Sequence, residues 1–234
     1  MDRRTFLNAG SIAMATAAVA PMLISSASAQ QGAGEKTYAP APLPFDPKTV
    51  NGLSEKLLSS HYDNNYTGAV KRLNAIDGQL AALDFETAPV FTINGLKREQ
   101  LIASNSMILH EVYFSGLGAG GDPTGALAGA LEKDFGSVAK WRAEFAAIGK
   151  ALGGGSGWAL LSYSPRLGRL MNTWAADHTM TGADGAVILA LDMYEHAYHM
   201  DFGAKAGAYV DAFMKVINWK GVSELFERTR KAAK

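Results

Sequence analysis

The stretch "LDMYEHAYHMDF", from Leu191 to Phe202, places one Asp, one Glu, two His and two Tyr directly after an aliphatic run. That run, "AVILAL" at Ala186–Leu191, predicts a buried β-strand, and the residues from Tyr194 onward predict a return to helix. Asp192 then lies at the strand end, and a following helical turn would carry Asp192 and His196 toward one point. Taken alone, this spacing is weak evidence for a metal site, because it is more typical of a helix with an ordinary polar face.

Composition limits the kinds of partner and of chemistry that the chain can use. Its 234 residues suffice for one large domain or two small ones, with 48% hydrophobic residues available for a core. Lys plus Arg and Asp plus Glu are both 22, and this balance argues against a nucleic-acid partner. The chain has no cysteine, which excludes disulfides, thiolate ligands, iron–sulfur clusters and thiol nucleophiles. Any metal ligands must therefore be His or carboxylate side chains.

The first residues have the pattern of an export signal. Arg3 and Arg4 are followed by Thr-Phe-Leu, by an apolar run rich in small residues, and by Ala27-Ser28-Ala29, an A-x-A cleavage pattern. We interpret residues 1–29 as a twin-arginine signal peptide; an ordinary secretory signal or a retained anchor is the alternative. No other apolar run approaches the roughly 20 residues of a membrane span. The sequence therefore predicts a periplasmic or secreted protein, free of the membrane once the signal is removed.

The first half of the remaining chain predicts an extended arm and a helical hairpin. Residues 30–44 are rich in Gly, Ala and Pro and predict the arm. Ser54 is a plausible N-cap for a helix ending near Asp77, and a second helix is expected from Lys97 to about Phe114. Together they predict a helical hairpin domain at residues 45–118. The second helix is expected to bury Leu101, Met107, His110, Tyr113 and Phe114.

The second half predicts a small sheet combined with helices. A glycine-rich break at Gly116–Leu127 precedes two short helices and three strands. The predicted helices are Leu131–Phe135 and Val138–Ala151, and the predicted strands are Gly155–Ser164, Gly168–Asp177 and Ala186–Leu191. Residues 119–234 therefore form a C-terminal domain with a three-stranded antiparallel sheet, and the fold class is α+β.

Two further histidines lie at positions that the pattern buries. His61 is in the middle of the first helix, and His110 is on the buried stripe of the second. A single buried His is usually a hydrogen-bonded core residue. Two on facing helices, with Asp192 and His196 at a strand end, would be costly to bury without a shared partner. A metal ion supplies such a partner, so these four residues are the predicted ligands.

Four stretches resemble one known family. They are "HYDNNYTGAVKRLN" from His61, "LHEVYFSGLGAGGDPTG" around His110, "FGSVAKWRAEF" with "GGSGWALL", and the opening stretch with "VINW" at Val216–Trp219. Their residues and order resemble the iron/manganese superoxide dismutases. The resemblance extends from about Leu43 to the end of the chain.

The resemblance implies a site and an activity. The metal ligands would be His61, His110, Asp192 and His196, holding one iron or manganese ion per subunit. The reaction would be the disproportionation of superoxide to dioxygen and hydrogen peroxide. The resemblance also implies a homodimer in which Glu195 reaches His196 of the partner subunit, although a solvated helix charge remains the alternative for Glu195. Phe114 and Trp158 would form an apolar wall around the metal.

Around these ligands the sequence departs from the family pattern. The family's channel His and Tyr are replaced by Asn65 and Ala69, with Tyr66 beside them, and the second Tyr of the family's Ala-Tyr-Tyr is replaced by His199. Ser106 occupies the position of the Gln by which iron-type members hydrogen-bond the metal-bound solvent. His178 lies near the point from which other members bring a Gln or a His, and it is either that partner or an exposed loop residue.

These departures leave two functions to weigh. Superoxide dismutase is the leading hypothesis, because all four ligands are present. The alternative is an exported metal-binding or interaction protein that keeps the fold and the metal site without efficient turnover. It arises because the family's channel His and Tyr are replaced, and an oriented proton donor contributes about a hundredfold or more to the rate. Another redox enzyme acting through an altered channel is a third possibility. The sequence leaves the choice between iron and manganese open.

Overall fold

The computed structural model describes residues 37–232, and all of them belong to one compact unit. The predicted signal peptide and the first part of the predicted arm lie outside the described residues. Within residues 37–232, no helix combines the length and the apolar character needed to cross a membrane.

The N-terminal half is a helical hairpin, as the sequence predicts. Its first arm is a continuous helix made of α1 (Glu55–Ser60), a π-helical turn (His61–Tyr66) and α2 (Thr67–Ala81), and its second arm is α3 (Val90–Ser115). Ser54 caps α1, since its hydroxyl accepts a hydrogen bond from the backbone N–H of Leu57 at 3.1 Å. The carboxylate of Asp201 binds both the backbone N–H and the hydroxyl of Ser54, each at 2.7 Å. The opening stretch of sequence is thereby tied to the start of the hairpin.

Helix α3 differs from its prediction in two respects. It begins at Val90 instead of Lys97, because Pro89, with φ −58° and ψ 135°, sets the chain up for helix entry and the exposed Asn-Gly pair at 94–95 is tolerated inside the helix. The predicted burial of Leu101 is wrong, since 47% of that residue is exposed. Leu101 precedes His110 by nine residues, or about 900° of rotation, so it projects from the opposite face of the helix.

The C-terminal half contains the expected sheet and helices, and the α+β fold class is confirmed. After α4 (Gly125–Phe135) and α5 (Val138–Ala151), strands β1 (Trp158–Ser164), β2 (Arg169–Ala175) and β3 (Ala186–Asp192) form an antiparallel sheet of order β2-β1-β3. Helix α4 begins six residues earlier than predicted, directly after Thr124. Three helices complete the chain: α6 (His199–Phe202), α7 (Ala206–Phe213) and α8 (Trp219–Ala232).

The start of β1 is set by a glycine. Gly157 has φ +132°, and a Cβ at this position would collide with the carbonyl oxygen of Ala175, so the strand begins at Trp158 and not at Gly155. The register then places Trp158 opposite Asp192 at the end of β3. Both side chains are completely buried. The sheet thus brings an indole ring and a carboxylate to the same end, next to α3, which packs on β3.

The predicted arm is held against the hairpin by side chains of its first helix. The side chain of Asn74 exchanges two hydrogen bonds with the backbone of Tyr38, at 2.8 and 2.9 Å. The Tyr62 hydroxyl donates to the Ala41 carbonyl at 2.8 Å, and the Tyr66 hydroxyl accepts from the Ala41 N–H at 2.7 Å. The Tyr66 hydroxyl also donates to a Glu111 carboxylate oxygen at 2.9 Å, which links the arm to α3.

We expect this link to weaken at high pH. Burial, together with the Glu111 carboxylate, raises the pKa of Tyr66 to about 12. Because the folded state holds this proton more tightly than the unfolded state, whose pKa is near 10, the stabilisation is complete below pH 10 and is lost as pH rises through 12. At pH 8, Tyr66→Phe should lower the free energy of unfolding by about 1–2 kcal/mol.

The measurement is urea unfolding of the wild type and Tyr66→Phe between pH 8 and pH 12. The stability difference between the two proteins should shrink over this range, whereas Tyr38→Phe, which removes an exposed hydroxyl, should show no such trend. A difference that stays constant with pH would contradict the assignment.

Candidate metal centre

The four predicted ligands come from four separate elements that meet at one point. His61 is the first residue of the π-helical turn, and His110 lies one turn before the end of α3. Asp192 is the last residue of β3, and His196 lies in the short 3₁₀ turn Glu195–Ala197 that follows. A π-helical turn is often found at a functional site. Here the backbone N–H of Thr67 bonds to the Tyr62 carbonyl, five residues back, which widens the helix next to His61.

The donor atoms of these residues are close enough to share one ion. Oδ2 of Asp192 lies 3.2 Å from Nε2 of His61, 3.6 Å from Nε2 of His110 and 3.2 Å from Nε2 of His196. One donor atom from each residue lies within 4.8 Å of all the others. Metal–nitrogen and metal–oxygen bonds are about 2.0–2.2 Å long, so donors on one ion are about 3–4 Å apart. The spacing fits a single mononuclear site.

Hydrogen bonds orient two of the four ligands. Nδ1 of His110 is 2.6 Å from the backbone carbonyl oxygen of Ser106. A carbonyl can only accept, so the proton is on Nδ1 and the lone pair of Nε2 faces the site. In Asp192, Oδ1 accepts the backbone N–H of Tyr194 at 2.8 Å, which leaves Oδ2 directed at the imidazoles.

Unpaired polar atoms point to a missing partner at this site. Both ring nitrogens of His61 and Nε2 of His110 are buried without a hydrogen-bond partner among residues 37–232. Burying such nitrogens unpaired is unfavourable, and buried polar atoms in native proteins are almost always satisfied. A cation at the centre of the cluster would satisfy Nε2 of both residues. The residues present therefore fit a bound metal.

The electrostatics of the cluster produce the protonation states that a metal requires. Burial lowers the pKa of His61, and burial together with His61 lowers the pKa of His110 to about 3, so both rings are neutral at pH 7. Burial opposes the charge on Asp192, but the imidazoles of His196 and His61, each with Nε2 at 3.2 Å from Oδ2, outweigh it and hold the pKa of this carboxyl well below its usual range. His61 and His110 thus offer neutral imidazoles and Asp192 offers a carboxylate, which are the protonation states in which these side chains bind an ion.

Comparison with known proteins identifies the family. Residues 123–225 match the sequence model of the iron/manganese superoxide dismutases, C-terminal domain. The chain is 67% identical to a superoxide dismutase [Fe] of Cupriavidus metallidurans over 189 residues, which cover 81% of this chain and 96% of the relative. The chain belongs to the iron/manganese superoxide dismutase family. It is also 37% identical to superoxide dismutase [Mn] 1 of Halobacterium salinarum, covering 82% of this chain and 96% of the relative, and 33% identical to superoxide dismutase [Fe] of Aquifex pyrophilus, covering 80% and 90%.

His178 lies beside the four ligand residues and is half-buried. Its Nδ1 accepts a hydrogen bond from the indole N–H of Trp158 at 2.9 Å, and its ring stacks on Tyr194 with centroids 4.9 Å apart. Indole only donates, so Nδ1 is unprotonated and the neutral ring carries its proton on Nε2. Burial lowers the pKa of His178, which favours this neutral form. The ring centroid is 6.3 Å from that of His110.

The other residues that depart from the family pattern are distributed around the site in different ways. Ala69 is buried, Asn65 is half-buried, and His199 is exposed at the start of α6. The Ser106 hydroxyl lies 3.4 Å from Nδ1 of His110, on the far side of that ring from Nε2. The Tyr66 hydroxyl is occupied by Ala41 and Glu111, although its ring lies 6.5 Å from that of His110.

Burial of the ligands is uneven. The side chains of His61, Asp192 and His110 are at most 1% exposed, whereas that of His196 is 28% exposed. Phe114 closes one side, with its ring 5.2 Å from that of His61, and the indole of Trp158 lies 5.3 Å from His110. Glu195, next to His196, is exposed. The cluster of four ligand residues is therefore open to solvent at His196.

Sequence reasoning missed three residues around the cluster. Tyr113 packs against His61 with ring centroids 5.0 Å apart, Tyr194 contacts both Asp192 and His178, and the Asn105 side-chain amide donates to the His178 carbonyl at 2.5 Å. Tyr113 and Tyr194 were detectable as aromatic neighbours of predicted ligands. Asn105 gave no local signal, because its partner is 73 residues away.

We expect close to one metal ion per subunit, lost in His110→Ala or Asp192→Ala to below about a tenth of the wild-type content, since even a residue that only orients a ligand is worth tenfold or more in affinity. Elemental analysis of the purified proteins measures this. His199→Ala is the control, because His199 is an exposed histidine outside the cluster and its replacement should leave metal content unchanged. Circular dichroism must show that each variant is folded. A folded Asp192→Ala protein with full metal content would refute the assignment.

Proposed function

We propose that the chain is a superoxide dismutase that disproportionates superoxide to dioxygen and hydrogen peroxide with one iron or manganese ion per subunit. The observation that carries this proposal is the buried convergence of Asp192 with three imidazoles in a chain 67% identical to a superoxide dismutase [Fe]. A metal-binding protein without turnover is not favoured, because that identity covers 96% of the relative. Iron is the first choice of metal on the same ground, since the manganese relative from Halobacterium salinarum is only 37% identical.

The ligand set suits a metal that changes its charge by one. His61, His110, Asp192 and His196 would hold the ion, which supplies the one-electron couple that oxidises one superoxide to dioxygen and reduces a second to hydrogen peroxide. Asp192 contributes one negative charge in a buried place, which stabilises the more highly charged metal ion. The neutral imidazoles of His61 and His110 add no charge of their own, and the rings of Phe114 and Trp158 shield these two ligands from bulk water.

Reduction of superoxide to hydrogen peroxide needs protons, and we propose that His178 positions one of them. Its Nε2–H is free to donate because the indole of Trp158 occupies Nδ1. Asn105 and Tyr194 hold the residue from two sides, through the 2.5 Å bond to its carbonyl and the 4.9 Å ring stacking. Tyr66 is not available for the same purpose, because its hydroxyl proton is donated to Glu111.

The activity test is superoxide disproportionation by the purified, metal-quantified protein. The wild type should be active. His178→Ala should be slower by about a hundredfold, the lower end of the usual contribution of a positioned proton donor, with metal content unchanged. His178→Gln should recover part of the rate, because an amide N–H can donate in place of the imidazole. A fully metallated wild type without activity would rule out the dismutase, and an unimpaired His178→Ala would rule out only the proton-positioning role.

We also propose a homodimer in which Glu195 of each chain accepts a hydrogen bond from Nδ1 of His196 of the partner subunit. Two observations support it: the His196 side chain is 28% exposed, and its Nδ1 has no hydrogen-bond partner among residues 37–232. A metal-ligating His nearly always donates its other ring N–H to a carboxylate, a carbonyl or water. Glu195, exposed one residue away, is a carboxylate of the right kind.

Glu195→Ala should weaken the dimer and lower metal retention together, because it removes the acceptor of a ligand that is otherwise open to solvent. The dissociation constant of the dimer, measured by analytical ultracentrifugation, should rise at least about tenfold. Glu132→Ala, which removes an exposed acid from α4, is the matched control and should change neither property. Equal dissociation constants for Glu195→Ala and the wild type would eliminate the bridge.

Export is proposed on sequence grounds alone. Arg3, Arg4 and the A-x-A pattern ending at Ala29 support a twin-arginine signal, and hence a periplasmic or secreted protein. That route carries folded chains, which suits a protein that acquires its metal before export. The balanced charge supports small substrates such as superoxide over nucleic acid, and nothing beyond the signal is proposed to contact the membrane.

A further inference from the structure

A cavity of about 660 Å³ lies between the arm, α3, α8 and the loop that leads into β3. Cavities of roughly 300–1,000 Å³ are typical of small-molecule sites. Its walls are mostly apolar, and none of the four metal ligands lines it. The apolar side chains that line it are Pro42, Leu43, Pro44, Tyr62, Tyr66, Ile108, Leu109, Val112, Phe114, Val187 and Leu225.

The floor of the cavity is a straight stripe on α3. Asn105, Ile108, Val112 and Ser115 recur at alternating spacings of three and four residues, which places them along one face of the helix. Ile108 is 45% exposed, unusually high for an aliphatic residue that lies between two other elements. Within this stripe Ile108 is the exposed apolar residue and Val112 is buried, while Asn105 and Ser115 add half-buried polar groups at its two ends.

The opposite walls carry two charged side chains, Arg228 and Glu111, that form no salt bridge among residues 37–232. Arg228 on α8 makes no ion pair or hydrogen bond with any group among residues 37–232. Glu111 on α3 accepts a hydrogen bond from Tyr66 but forms no salt bridge with Arg228 in the described structure. A cation with no partner at the edge of an apolar cavity favours an anionic ligand group. The carboxylate of Glu111, which has no cation beside it, disfavours a second anionic group on the same ligand.

The cavity is also a site distinct from the metal centre. Phe114 separates the two, since its ring is 5.2 Å from that of His61 on one side and lines the cavity on the other. The arm that forms one wall is fixed by the hydrogen bonds of Tyr62 and Tyr66 to Ala41. The site is therefore preformed, which lowers the entropic cost of binding.

We propose that this cavity binds an amphipathic monoanion, namely an unbranched alkyl chain ending in one carboxylate. The carboxylate pairs with Arg228, and the alkyl chain lies along Ile108 and Val112 toward the prolines of the arm. The apolar lining supplies the affinity through burial of the chain, and the single unpaired guanidinium supplies the preference for a negative head group. This site does not depend on the dismutase function.

The test is isothermal titration of the metal-loaded protein with dodecanoate below its micellar concentration. One dodecanoate should bind per subunit. Arg228→Gln should weaken binding by about tenfold, the size expected for one charge-assisted contact at a partly exposed position. Lys231→Gln, which removes a positive charge from the same helix outside the cavity lining, should leave binding unchanged. Ile108→Trp, which fills the cavity from an exposed position, should abolish binding while leaving the melting temperature and the metal content near wild type.

Dodecyltrimethylammonium, with the same chain and the opposite charge, is the ligand control and should bind at least tenfold more weakly than dodecanoate. Equal binding of the two would refute the anionic head group. Absence of dodecanoate binding to the wild type, undiminished binding to Ile108→Trp, or equal losses in Arg228→Gln and Lys231→Gln would each overturn the site. Because binding is read by heat, the result is independent of whether the protein disproportionates superoxide.

Discussion

One negative charge buried in the core is the constraint around which this structure is organised. Asp192 is completely buried, and a carboxylate in such a place must be compensated by hydrogen bonds or by cations. The backbone N–H of Tyr194 satisfies one oxygen, and the imidazoles of three histidines surround the other. Those histidines come from the hairpin and from the turn after β3. The packing of α3 on β3 holds His110 next to this charge, and the hydrogen bond between Asp201 and Ser54 ties the stretch that contains Asp192 to the helix that leads to His61.

The sequence was sufficient for the parts of the structure that depend on local pattern. Strand β3 reads as an aliphatic run, Ser54 as a cap and the hairpin as two long helices, and the fold class followed from these elements. The four ligand residues could be proposed because histidines on apolar faces are rare and need a reason. The start of α3 could not be read, because an Asn-Gly pair that signals a turn is tolerated inside a long exposed helix once Pro89 has set its entry.

What could not be predicted depends on contacts between distant residues. In the sequence, Tyr66 is only an aromatic residue next to a channel position. In the structure its hydroxyl is hydrogen-bonded to Ala41, 25 residues before it, and to Glu111, 45 residues after it. His178 is ambiguous in the sequence, and its contacts in the structure are with Trp158 and Asn105, which come from a strand and a helix distant in sequence. The prediction that Leu101 is buried was wrong because the apolar residues of α3, a helix of 26 residues, do not all lie on one face.

The π-helical turn at His61–Tyr66 places one extra residue in the first arm of the hairpin without changing the direction in which the residues on either side of it face. Deleting one residue there would convert the wide turn to an ordinary α-helical turn. Since a π-helical turn holds about one residue more than an α-helical turn, the residues on its two sides would keep nearly their present orientation about the helix axis. His61 faces the ligand cluster from the start of the turn, while Tyr66, Ala69 and Asn74 face the arm or the core from its end. Both sets would keep their orientation, so the extra residue alters only the backbone of the turn itself, where the chain leaves His61.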